Sequence, residues 1–138
     1  MVDKSRQTLW FLEKQSPLRT VRQMECSTGQ REGDKHHEGD LRTPEGVYFL
    51  EGRIKQDLDL ELYGNLAYAL NFPNPVDRMQ GKTGYGIWLH GRGKELVPLD
   101  TRGCVAINTT ALAGLSDQIA YGLTPVVISQ QTELERDF

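Results

Sequence analysis

Long hydrophobic runs are missing from this sequence, and so is any surplus of basic charge. No apolar stretch approaches the ~18 residues that a membrane-crossing helix needs, so no such helix is expected. Lysine and arginine number 16 against 19 aspartates and glutamates, for a formal net charge of -3. A chain of that balance has no global basic field for nucleic acid or for an anionic membrane surface. Cysteine is scarce too: Cys26 and Cys104 are the whole supply. Two thiols cannot build a disulfide framework, although a single Cys26–Cys104 bridge stays open as a structural reading. The stretch Met1 to Thr8 is polar and no apolar h-region follows it, so no export signal is expected within this chain.

What is present suits one folded domain spanning residues 1–138. Apolar residues make up 38% and charged residues 25%, which is enough of each to cover a real core with a hydrated surface. Gln7 to Lys14 is rich in β-formers, Ser16-Pro17 breaks it, and Leu18 to Thr28 reads as its hairpin partner. Gly29 to Arg42 is polar and reads as an exposed loop. Val47 to Leu50, Asn65 to Phe72, Gly86 to His90 and Pro125 to Ser129 read as further strands. Pro73-Asn74-Pro75 must leave the second of these, since neither proline can donate to a ladder. The period changes over Thr109 to Tyr121, where Leu112, Leu115, Ile119 and Ala120 recur at helical spacing. Asn108 or Thr109 offers the N-cap, and Gly122 the stop. The expected fold class is therefore mainly β with one helix before the last strand.

Three familiar motifs begin here and fail. Gly81-Lys82-Thr83 lacks the earlier glycine of a phosphate loop, because Val76 stands there. Gly84-Tyr85-Gly86 lacks the third glycine of a dinucleotide fingerprint, with Leu89 in its place. His37-Glu38 lacks the second histidine of a zincin, with Leu41 there instead. His36, His37, Glu38 and Asp40 read as a solvated polar loop rather than a metal site, and no metal or organic cofactor is expected.

The informative stretch runs from Gly84 to Asn108. His90 closes an apolar strand and precedes Gly91, while Cys104 follows Thr101-Arg102-Gly103 and opens another apolar run. A thiol attacks well only when a base takes its proton or its pKa falls, and an imidazole is the side chain best placed to act near neutrality. Acyl transfer also needs backbone N–H groups aimed at the developing oxyanion, and Gly103 and Cys104 are the natural donors. The carbonyl of Gly91 is the nearest group able to hold the His90 tautomer. A second reading stands beside this one, because a cysteine among apolar residues and a histidine at a strand end are both common core features.

These residues resemble the signature of the YkuD-type L,D-transpeptidase catalytic domain. It consists of a His-Gly pair, a variable loop, then Ser/Thr-His-Gly-Cys, a hydrophobic residue and a nearby asparagine. His90-Gly91, Thr101, Gly103-Cys104-Val105 and Asn108 fall on it. Ser27-Thr28-Gly29, Gly39-Asp40, Thr43 to Tyr48, Asn71 to Asn74 and Gly122 to Ile128 resemble further blocks of the same family. Two positions depart: Arg102 replaces the histidine before Gly-Cys, and Ala106-Ile107 stand where an arginine is usual. In this the chain is similar to the L,D-carboxypeptidase branch that shapes curved and helical bacteria.

The resemblance implies a mixed β-sandwich catalytic domain acting on the peptide stem of peptidoglycan, in the periplasm or cell envelope, as a piece of a longer precursor. Cys104 would be the nucleophile, His90 its base, and Gly91 and Gly103 would supply backbone groups. Arg102, Trp88, Tyr85 and Thr101 would line the substrate, with Asn108 structural nearby. The acyl group would pass to an amine, giving a transpeptidase, or to water, giving a carboxypeptidase. The rival from another class is a muropeptide-binding module of the same fold without catalysis. No feature sets an oligomeric state.

Overall fold

The structure, a computed structural model, describes residues 1–132 except 14, 16 and 18. The expected Ser16 turn, with Lys14 and Leu18 on either side, lies outside the described residues. In chain order the strands are β1 (Val2–Asp3), β2 (Thr8–Glu13), β3 (Arg19–Ser27) and β4 (Gly46–Arg53). They continue with β5 (Ala67–Leu70), β6 (Trp88–His90), β7 (Val105–Ile107) and β8 (Pro125–Ser129). Helices α1 (Leu60–Tyr63), α2 (Pro75–Met79) and α3 (Thr109–Leu115) lie between them, with a 3-10 turn at Ser116–Gln118.

The strands close in the order β1-β2-β3-β7-β6-β5-β4-β8. Neighbours are antiparallel except β1 with β8 and β6 with β7. The mainly β class and the helix before the last strand are as the sequence predicts. Each strand has a neighbour on both sides, although β3 meets β7 only at Cys26 and Ser27. Alternation along the strands fills the interior: Tyr48 and Leu50 of β4, Val126 and Ile128 of β8, and Val105 and Ile107 of β7 all join one core. Leu112 and Leu115 of α3 join it too, three positions apart on one helical face.

Several elements differ from expectation for local reasons. α3 stops at Leu115 rather than reaching Tyr121. Gly114, Ser116 and Asp117 are poor helix interiors, and the chain tightens to a 3-10 turn. The strand expected from Gly86 starts at Trp88, because Gly86 has φ +68 and leaves the extended region. β1, α1 and α2 were not foreseen. Asn74 and Pro75 do leave the preceding strand, but they do so as an N-cap and first helical residue. The Asn74 side chain accepts from Asp77 N–H, and Asp77 answers the Asn74 N–H.

The polar loop 29–42 is not simply exposed. Lys35 and Asp40 are buried in it as a 2.8 Å ion pair, and Asp40 also accepts N–H bonds from His36, His37 and Arg42. A second buried carboxylate, Asp77, receives the Tyr48 hydroxyl at 2.9 Å. Removing that donor leaves the carboxylate short of a partner. Tyr48→Phe is expected to cost about 1–3 kcal/mol. Denaturant unfolding should show a lower midpoint with an unchanged slope; an unchanged midpoint would contradict the assignment.

Candidate active site

The parallel pair β6–β7 sets the site. Leu89 pairs with Val105 and His90 with Ala106. Paired side chains share a face and alternate along each strand, so Leu89 and Val105 turn to the core while His90 turns to the other face. One step back in the same register, Cys104 lies beside Trp88, whose backbone N–H donates to its Sγ at 3.4 Å. His90 is then the diagonal neighbour of Cys104 on the same face. A 3.4 Å contact from Sγ to the Gly86 carbonyl oxygen completes the thiol's surroundings.

His90 is buried and its Nδ1 stands 2.5 Å from the Gly91 carbonyl oxygen. Against a carbonyl, Nδ1 can only donate, so the ring carries its proton there and presents the Nε2 lone pair. Gly91 is held in turn: a Cβ there would press on Thr109, whose Oγ1 accepts from Arg92 N–H at 3.0 Å. Tyr63, at the end of α1, packs its ring edge-on to His90 at 4.8 Å and against Trp88 at 5.4 Å.

The turn into Cys104 is fixed by Thr101. Its hydroxyl donates to the Cys104 carbonyl at 2.7 Å and accepts from Gly103 N–H at 3.2 Å. Gly103 has φ +141, and a Cβ there would stand 3.0 Å from the Arg42 carbonyl oxygen and from Ile87. No other residue fits this position without strain. Because its amide is bonded inside the turn, Gly103 is not free to serve as the oxyanion donor expected of it. It shapes the approach to Cys104 instead. Farther back, Gln7 ties the same turn to strand β3: its Oε1 accepts from Thr28 N–H at 3.0 Å and Leu99 N–H at 2.9 Å.

Burial dominates the electrostatics. It pushes the His90 imidazole down to about 4, with the Arg92 charge acting the same way. It also raises the Cys104 thiol, against the Trp88 N–H and the charges of Arg92 and Lys35, which favour thiolate. At neutral pH the resting pair is therefore thiol and neutral imidazole. Cys26 is buried in β3, and its thiol is pushed up to about 12. Both cysteines are free, which removes the single-disulfide reading.

The other residues singled out by sequence fall as follows. Trp88 is half-buried on the His90 face, Tyr85 is 77% exposed, and Arg102 is exposed next to Cys104 in sequence. Asn108 caps α3, its side chain accepting from Ala111 N–H at 3.1 Å. Among the described residues, no three histidine, cysteine or acidic side chains converge as a metal site. Sequence reasoning missed Tyr63, Lys35 and Arg92.

The family model of the YkuD L,D-transpeptidase catalytic domain matches residues 1–128. Among solved structures, the helical cell shape determining protein Pgp2 of Campylobacter jejuni is 32% identical with a TM-score of 0.81. The match covers 96% of this chain and 47% of that one. Bd1075 of Bdellovibrio bacteriovorus is 35% identical with a TM-score of 0.76, covering 99% and 50%. An L,D-transpeptidase of Xylanimonas cellulosilytica shares the fold at 20% identity and a TM-score of 0.60, covering 93% and 58%. The chain thus spans about half the length of the first two. No curated protein matches it in sequence.

Two outcomes follow from the thiol and imidazole environments. A thiol reagent should label Cys104 in the native protein and Cys26 only after unfolding, and the Cys104 rate should climb through the alkaline range. A rate already flat at pH 6 would mean a resting thiolate. The folded His90 value lies below its unfolded ~6.5, so the unfolded chain binds the extra proton between the two. The contribution of His90 is fully present above ~6.5 and is lost as pH falls toward 4. Denaturant midpoints across that window should fall less in His90→Gln than in the unaltered protein; equal slopes would contradict the burial argument.

Proposed function

Since this chain belongs to the YkuD family of L,D-transpeptidase catalytic domains, we propose that residues 1–138 form a single catalytic domain whose Cys104 transfers acyl groups on peptidoglycan stem peptides. The observation that carries this reading is the pair itself: Cys104 and His90 share one sheet face, with Nδ1 of His90 held by Gly91 so that Nε2 keeps its lone pair as a base.

The chemistry follows from the resting protonation state. Nε2 of His90 takes the thiol proton as Sγ forms its bond to the carbonyl carbon that links the L-centre to the terminal D-alanine. The carbonyl electrons move onto oxygen. The Cys104 amide, next after the Gly103 amide that bonds to Thr101, is the backbone donor for that oxyanion. The carbon–nitrogen bond then breaks, the imidazolium gives its proton to the departing D-alanine amine, and a thioester remains on Cys104. An incoming amine or water attacks the thioester, gives a proton to Nε2, and restores the thiol. An amine yields a cross-link; water yields a shortened peptide.

Buried neutral groups suit this sequence of steps. Each proton transfer accompanies a bond change, so the imidazolium forms only together with the oxyanion that balances its charge. Arg102, exposed beside the nucleophile, suits a substrate carboxylate, which its planar fork can grip at two points. Trp88 and Tyr85 border the same approach, and Thr101 holds the turn. The proposed place of action is the cell envelope, where such peptides occur, as part of a longer protein like its structural relatives.

Disaccharide-tetrapeptide muropeptides incubated with the protein should lose the terminal D-alanine, giving tripeptide, or yield dimers; mass spectrometry separates the two products. Cys104→Ala should give neither, and His90→Gln should lower kcat/KM by about 10²–10⁴. Binding of muropeptide without turnover, equal in the unaltered protein and Cys104→Ala, would replace this reading with a non-catalytic binding module.

A further inference from the structure

Continuing along the sheet face, Arg92 and Asn108 stand two residues beyond His90 and Ala106. Both line a cavity of about 400 Å³, walled also by Met24, Glu25, Lys94 and Glu95. That volume falls within the range of small-molecule sites. Arg92 is buried, yet its Nε has no hydrogen-bond partner among the described residues. Among the described residues its one ion pair, from Nη1 to an Asp100 carboxylate oxygen, is long at 3.8 Å, and Asp100 is largely open to water. A guanidinium offers five donors in a planar fork, so a buried one with an unpartnered Nε–H suits a carboxylate. The wall does not carry a single sign. Glu25 and Glu95 oppose Arg92 and Lys94, which suits a ligand with a cation close to its carboxylate.

We propose that this cavity binds a zwitterionic amino-acid end, its carboxylate on Arg92 and its ammonium toward Glu25 and Glu95, as a subsite separate from the approach at Arg102. The site rests on the proposed function only for the source of its ligand. Within that reading it places an amine-bearing group on the side of His90 away from Trp88. Two sources share this chemistry, a free amino acid and the amino-acid end of a stem peptide.

The test follows the Arg92 Nε–H resonance in isotope-labelled Cys104→Ala protein, which binds but does not react. Glycine should move that resonance saturably, and acetate should bind about tenfold more weakly because it lacks the ammonium. A tripeptide muropeptide shifting the signal at lower concentration than glycine assigns the peptide as the source, and the reverse assigns a free amino acid. An Nε–H signal unmoved by all three ligands overturns the site, and acetate binding as well as glycine overturns its zwitterionic character. The resonance is identified by through-bond spectra of the folded protein, so the result does not depend on an Arg92→Lys variant folding. Because the tested protein lacks the nucleophile, loss of this site and loss of the catalytic reading appear separately.

Discussion

The parallel pairing of two three-residue strands is what the rest of the site hangs on. β6 ends with His90 and β7 begins just after Cys104, and their register sets Leu89 against Val105 and His90 against Ala106. A shift of one residue would turn His90 into the core and Leu89 out, because side chains alternate strictly along a strand. Burial enforces the register: Leu89, Val105 and Ile107 are all core residues, and the slip would take Leu89 away from that core. Each such side chain is worth about 1.5–3 kcal/mol when buried, so the apolar face settles where the polar one points.

The segment 91–104 has to leave β6 and return to the start of β7 without a helix to guide it. Polar contacts do that work. Thr109 holds the exit at Gly91 and Arg92, Ser27 accepts from Asp100 N–H at 3.0 Å, and Gln7 takes the Leu99 and Thr28 amides. Thr101 then closes the turn onto Cys104. The backbone amides of this segment find partners in the main-chain carbonyls of Leu66, Glu61 and Thr28 and in side chains from β3, α3 and the first loop. Cys104 is therefore placed by satisfied hydrogen bonds and by the one backbone conformation open to Gly103. The same burial that orders the site keeps its thiol and imidazole neutral at rest.

Much of this was legible in residue pattern. Alternating β-formers gave the β2–β3 hairpin, Pro125 to Ser129 the closing strand, and Leu112 with Leu115 the helix on the core. Cys104, His90 and Gly91 were singled out through the resemblance to the YkuD signature, because on residue pattern alone a core thiol and a structural histidine read as well as a site. What stayed hidden depends on distance in sequence. Lys35 sits in a polar loop that looks solvated, yet Asp40 and the folded chain bury it. Tyr63 meets His90 only because the barrel brings α1 to the face of β6. Gly103 looked like an oxyanion donor until Thr101, two residues earlier, was seen to hold its amide. α2 was obscured by two prolines that read as breakers, although Pro75 stands at the one helical turn that tolerates it.

The central claim is that Cys104 carries the acyl group. Mixing the protein briefly with a tetrapeptide stem donor, quenching in acid and digesting it would expose that intermediate by mass. The account predicts a thioester on the peptide containing Cys104, heavier by the donor minus D-alanine and sensitive to hydroxylamine. Release of D-alanine with no adduct on that peptide in the unaltered protein, and with equal release by Cys104→Ala, would contradict it.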